Sequence, residues 1–256
     1  MPERTSYVPG TPCWVDLGTP DQQAAARFYS GFFGWEATMD PRPEAGGYGM
    51  FKLRGRLVAG LGTQTSPGPP YWAVYVSVTD LDDTCARVGA NGGKVVAGPM
   101  DVFDAGSMAV AQDSCGCFVS IWQPKVHIGS ELVNEPGAFT WNELATTDLP
   151  KARGFYTSVF GWGTQENAND QAAIFTVEGR VACGAHAAGP GESPAWSIWF
   201  AVEDCDASAA KASELGGSVV VAPNDMGFGR GAVVADPQGA AFGIAAVSPA
   251  APGVAD

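Results

Sequence analysis

The sequence predicts an α+β protein of two tandem domains, each built from two βαβββ units that form a cupped sheet. Three observations carry this expectation. One motif is written twice, FYSGFFGW at Phe28–Trp35 and FYTSVFGW at Phe155–Trp162. The match spreads outward from that motif over both halves of the chain. Within each half, an order of strand, helix and further strands occurs twice.

The elements follow in order. CWVDL reads as a first strand, and Thr19-Pro20-Asp21-Gln22 reads as a capping box with Thr19 as N-cap, Pro20 at the first helical position and Gln22 reaching back. Ala25, Phe28, Tyr29 and Phe32 then recur at helical spacing, and Ala152, Phe155, Tyr156 and Val159 repeat the stripe. Gly34 and Gly161 suit left-handed C-terminal caps. The doubled motif is therefore read first as a packing device that fixes a helix to a sheet. WAVYVSV opens the second unit as a strand, followed by a short helix ending at Gly92-Gly93, which pairs with Gly216-Gly217. Asp236-Pro237-Gln238-Gly239 is a turn before the last strand. The four units fall near residues 11–62, 70–123, 138–187 and 194–247. The domains span 8–125 and 138–250, with an ordered connection over 126–137.

The chain has 256 residues, enough for two domains of ordinary size, and 46% are apolar. Fourteen Lys and Arg face 27 Asp and Glu, a net charge of −13. Such a surface repels phosphate backbones and anionic lipid, so neither nucleic acid nor membrane is expected as a partner. No apolar run is long enough to span a bilayer. The polar start MPERTSYVPG predicts a cytoplasmic protein, and the six cysteines are read as reduced thiols. A monomer and a homodimer both remain open.

Four βαβββ units, with FYxxxFGW after the first strand and DPxG before the last, resemble the vicinal oxygen chelate superfamily of glyoxalases, extradiol dioxygenases and bleomycin-resistance proteins. More closely, TPxWVDLxTxDxxAAxxFYxxxFGW and HIGxxLVNExGxxxWNEL are similar to tandem glyoxalase-like proteins of actinobacteria, some described as hydroxylases. The resemblance implies paired units curled around a cavity. In metal-dependent members His, Gln or Glu stand on the cavity face. Here those positions fall on Trp14 and Trp141, near Ala73 and Ser197, and near Ser120 and Gly243. None offers an imidazole or carboxylate, so no metal and no other cofactor is expected.

Side chains two apart on a strand share a face, which groups Trp14 with Asp16 and Trp141 with Glu143. Tyr75 and Trp199 are equivalent positions in the second units. Trp14, Trp141, Tyr75 and Trp199 are the candidate ligand-binding aromatics, suited to a small aromatic molecule. The alternative is that they fill the cups as core. Asp16 and Glu143 are the candidate catalytic acids, since a carboxylate in a half-buried strand needs a partner or a raised pKa. Arg230 is the expected partner in the second half, where the first half has Ser107. His186 could face the same cavity. Two functions follow: metal-independent binding of an aromatic or polycyclic molecule for sequestration or resistance, or cofactor-independent tailoring by a hydroxylase or isomerase.

Overall fold

The computed structural model describes residues 3–64, 67–166, 171–227 and 229–247. The first half runs β1 (Pro12–Thr19), α1 (Gln22–Phe33), β2 (Glu36–Met39), β3 (Gly49–Leu53), β4 (Arg56–Thr63), β5 (Tyr71–Ser77), α2 (Leu81–Ala90), β6 (Lys94–Val102), β7 (Gly106–Gln112) and β8 (Phe118–Pro124). The second repeats it as β9 (Phe139–Thr146), α3 (Leu149–Phe160), β10 (Gly163–Glu166), β11 (Ala172–Val177), β12 (Arg180–Ala187), β13 (Ala195–Ala201), α4 (Cys205–Glu214), β14 (Ser218–Asp225), β15 (Gly229–Ala235) and β16 (Ala241–Val247). Each half is one eight-stranded sheet, ordered β2-β3-β4-β1-β5-β8-β7-β6 and β10-β11-β12-β9-β13-β16-β15-β14. In the first sheet β1 joins β4 in parallel and β5 antiparallel, and β5 joins β8 in parallel. The two units of a half therefore meet at β1–β5, and at β9–β13 in the other.

Strand alternation divides each sheet into two faces. Val15 and Leu17 of β1 are fully buried on the helix side, in a core shared by both halves. Trp14 and Asp16 point the other way, into the cup. The doubled motif builds the shared core. Phe28 meets Phe242 with ring centroids 6.5 Å apart, and Trp35 meets Phe200 at 5.5 Å. Tyr29 donates to Asp236 across the halves (3.3 Å), and Tyr156 donates to Asp113 in the reciprocal contact (3.0 Å). Trp35 Nε1 donates to the Gly137 carbonyl and Trp162 Nε1 to that of Gly10, at 2.7 and 2.6 Å. The motif thus fixes one half to the other as well as helix to sheet.

Two helix-end assignments need correction. Asp21, not Thr19, is the N-cap of α1, with its carboxylate accepting from Ala24 N at 2.9 Å. Thr19 ends β1, and its hydroxyl is taken by Gln238 of the other half. Gln22 does not reach back but donates to the Gly47 and Leu61 carbonyls. The short second-unit helix ends at Ala90 with Asn91 as its cap, one residue before Gly92. Gly34 and Gly161 take left-handed caps as expected, with φ of 75° and 73°.

Candidate functional site

The two cups carry equivalent strands and different interiors. In the first, Trp14, Tyr75 and Trp122 are 4%, 8% and 5% exposed and pack together with Cys13. His127, from the segment after β8, stands edge-on to Trp14 with centroids 4.5 Å apart and also contacts Trp122. Its carbonyl accepts from Trp122 Nε1 at 2.9 Å. Asp16 Oδ2 accepts from the Tyr75 hydroxyl at 2.8 Å and the Tyr48 hydroxyl at 3.2 Å. Tyr48 in turn accepts from Trp14 Nε1. Burial pushes Asp16 up to about 6, against the downward pull of the two tyrosine hydrogen bonds. Burial pushes His127 down to about 4. This cup is packed with its own side chains.

The second cup is open. Trp141 on β9 stands directly opposite Trp199 on β13, and both keep part of their surface exposed. Trp199 lies across Gly243, where any side chain would collide with its ring, and beside Gly231, where a side chain would first meet Met226. Trp141 Nε1 donates to Glu143 Oε2 at 2.7 Å, and His186 Nδ1 meets Glu143 Oε1 at 3.0 Å. His186 Nε2 meets Glu192, from the loop before β13, at 3.1 and 3.2 Å. The Glu143 hydrogen bond, with Glu192 adding to it, raises His186 to about 9 against the opposing effect of burial. Glu143 keeps 21% and His186 34% of its side chain exposed. Ser197 completes the wall, donating to the Glu143 carbonyl and accepting from Trp199 Nε1.

Arg230 is not the partner of Glu143. Its guanidinium is held by Asp206 in the first turn of α4, on the exposed surface. His186 on the neighbouring strand takes that place, because parallel pairing sets Gly184 beside Glu143 and brings His186 alongside. Ser107, the counterpart of Arg230, donates to Asp101.

Tyr48, Trp122 and Glu192 were not singled out from the sequence. Glu192 sits in a Gly- and Pro-rich loop with no periodic signal. A usable signal did exist for the carboxylates: each lies over a glycine of the adjacent strand, Asp16 over Gly60 and Glu143 over Gly184, which makes room for a side chain on a crowded face.

The profile of the Glyoxalase/Bleomycin resistance protein/Dioxygenase superfamily matches residues 13–121 and 138–244. The chain belongs to this superfamily. "Putative glyoxylase CFP32" of Mycobacterium bovis is 41% identical over 260 residues, covering 97% of this chain and 99% of that one. The anthracycline biosynthesis protein DauV of Streptomyces sp. strain C5 is 37% identical, covering 98% of each chain. Among solved structures, the Mn(II)-bound glyoxalase of Novosphingobium aromaticivorans shares the fold with a TM-score of 0.67 at 16% identity, over 93% of this chain and 82% of that one. The 2,3-dioxygenase LapB of Pseudomonas sp. KL28 does so with a TM-score of 0.66 at 14% identity, over 92% and 91%.

A metal of the kind named in that glyoxalase does not fit the donor groups found among the described residues. Among the described residues no three His, Cys, Asp or Glu side chains are grouped to hold an ion. Glu143, His186 and Glu192 are the potential ligands of the second cup. His186 gives one ring nitrogen to each carboxylate, so the two acids lie on opposite sides of the ring and do not converge, whereas a divalent site wants three or four converging donors.

Proposed function

We propose that the protein binds a planar aromatic or polycyclic small molecule in the second cup without a metal. The observation that carries this reading is the open pair Trp141 and Trp199, beside a carboxylate–imidazole pair, where the equivalent first cup is filled. Two partly exposed indoles offer stacking area to a flat ring, and Glu143 accepts a hydrogen bond from a phenolic hydroxyl at its edge. The kinship with two anthracycline biosynthesis proteins, DauV and DnrV of Streptomyces peucetius, supports a polycyclic ligand. The six unpaired cysteines suit a reducing, cytoplasmic setting.

A second reading rests on the same pair: cofactor-independent turnover, in which Glu143 moves a proton at a phenol or ketone held on the indoles and His186 positions the carboxylate. One variant separates the two. Under the binding reading, Glu143→Gln keeps the fold and weakens a hydroxylated anthraquinone more than an unsubstituted one, and no product forms with either protein. Under the catalytic reading, the same change leaves affinity nearly intact and lowers turnover by about 10²–10⁴-fold. Binding by the wild-type chain is expected to survive chelator and to be unchanged by added Mn(II). Loss of binding in chelator, restored by metal, would exclude both readings.

A further inference from the structure

The register of the two sheets shows which side chains the second cup lacks. Pairing in the first sheet sets Tyr75 beside Ser120, with Trp122 two residues on and opposite Met108. Pairing in the second sets Trp199 beside Gly243, with Ala245 two residues on and opposite Gly231. Ser120, Trp122 and Met108 of the first cup thus correspond to Gly243, Ala245 and Gly231 of the second. Residues two apart on a strand share a face, so all of them belong to the cup side of their sheets. Trp122 and Met108 pack with Trp14 and Tyr75 and help to fill the first cup. Their counterparts carry one methyl group between them.

A different side chain stands at this end of the second cup. Trp199 lies flat across Gly243, since a Cβ there would collide with three atoms of its ring at once. One face of the indole is therefore against the glycine, and the other faces the cup. At the far edge of the ring is Met226, from the turn between β14 and β15. Its sulfur lies over Gly231, where a Cβ would collide with it and stand 3.2 Å from the Trp199 ring. The turn backbone is held, because Met226 N donates to the Gly229 carbonyl at 2.9 Å and Gly227 N to Asp225 Oδ1 at 2.8 Å. The Met226 side chain is nevertheless 37% exposed. An unbranched thioether on a fixed backbone, open to solvent, changes rotamer readily. Met108 is built into the floor of its cup, whereas Met226 reaches in from the rim.

Resting on the second cup as the ligand site, we propose that Met226 is the end wall of that site and sets the length of the ring system it takes. A flat molecule stacked on Trp141 and Trp199 lies across the strands. From β9 to β15 is three strand intervals, about 14 Å along the sheet at the usual spacing of about 4.8 Å. A small ring system covers the indoles and stops short of Met226. A longer one meets the thioether over Gly231 and continues only when that side chain turns away. The ligand class is then hydroxylated fused-ring aromatics sorted by length, with Glu143 at one end of the site and Met226 at the other.

The test is equilibrium dialysis of the full chain, as wild type and as Met226→Ala, with two probes: 2-naphthol, which has two fused rings, and 6-hydroxynaphthacene-5,12-dione, which has four. Met226→Ala is expected to leave 2-naphthol unchanged and to tighten the four-ring probe by at least about tenfold, the scale on which an apolar pocket separates ligands differing by one small group. Adding Gly231→Met to that variant refills the end with the residue of the first cup and should return the four-ring affinity to the wild-type value or below. A second measurement needs no variant to fold in the bound state: with methionine methyl groups labelled in the wild-type chain, the Met226 signal should shift saturably with the four-ring probe and stay in place with 2-naphthol. The proposal is overturned if Met226→Ala affects both probes alike, affects neither, or weakens the longer one, or if the Met226 methyl ignores the longer probe. Such results leave the cup standing as long as Trp141→Ala still weakens 2-naphthol. If neither probe binds the wild-type chain, or Trp141→Ala binds both as wild type does, the ligand site in the second cup falls and its end wall with it.

Discussion

Asp16 and Glu143 are equivalent residues placed in different surroundings. Two tyrosine hydroxyls and burial enclose Asp16, whereas Glu143 faces an opening beside His186. The enclosed carboxylate has a consequence for stability. Its folded pKa, about 6, lies above the ordinary value of 3.8. The folded state then binds the proton more tightly than the unfolded state, so this group's contribution is present below pH 3.8 and is lost as pH rises through about 6. The loss is at most about 3 kcal/mol, at about 1.4 kcal/mol per unit. Asp16→Asn keeps an oxygen for Tyr75 and Tyr48 and removes the titration. Denaturant unfolding should show the variant gaining on wild type between pH 4 and pH 7, and a difference independent of pH would place the carboxylate in water. His127 titrates in the opposite sense within the same cup, but it is common to both proteins and cancels in the comparison. At this scale the sequence showed the acids and the aromatics that share their faces. It placed Tyr75 and His186 toward the cavities but did not pair them with the acids, and it offered Arg230 for Glu143 instead. His186 reaches Glu143 through strand pairing, Tyr48 reaches Asp16 from the turn before β3, and Arg230 is drawn away by Asp206 on a helix. None of these outcomes has a local signature.

At the scale of elements, the repeat was legible because its signals are local. Helical spacing marked α1 and α3, and Gly34 and Gly161 marked their ends. The N-cap was misread because Thr19 and Asp21 are both good capping residues, and the choice turns on a tertiary contact: the Thr19 hydroxyl is taken by Gln238. Both terminal glycines have φ near 75°, a region that costs a side chain about 1 kcal/mol. Nothing lies within 4 Å of where a Cβ of Gly161 would stand. Gly161→Ala should therefore destabilise by about that backbone cost alone, read from the urea midpoint at an unchanged m-value. A loss of several kcal/mol would show that the cap does more than end the helix.

For the whole molecule, the doubled motif joins two similar halves through one shared core. Phe28, Trp35 and Tyr29 contact the second half, and Tyr156 and Trp162 return the contact to the first. The buried acids Asp236 and Asp113 anchor the reciprocal tyrosines. Cutting the chain between the halves would expose this aromatic seam. Thermal unfolding followed by far-ultraviolet circular dichroism and by tryptophan fluorescence is expected to give one coincident transition; two separated transitions would mean that the seam contributes little. Among the described residues no helix is long and apolar enough to cross a membrane. The seam closes the middle of the molecule and leaves the cups facing outward, one filled and one open.

The open cup, and not the filled one, is the proposed ligand site. Titration of tryptophan fluorescence with a planar anthraquinone tests it most directly, in wild type, Trp141→Ala and Trp14→Phe. One ligand per chain is expected, with a loss of about 1–3 kcal/mol of binding in a folded Trp141→Ala protein, the scale of a stacked aromatic, and unchanged affinity in Trp14→Phe. Two ligands per chain, or full affinity in Trp141→Ala with loss in Trp14→Phe, would contradict it.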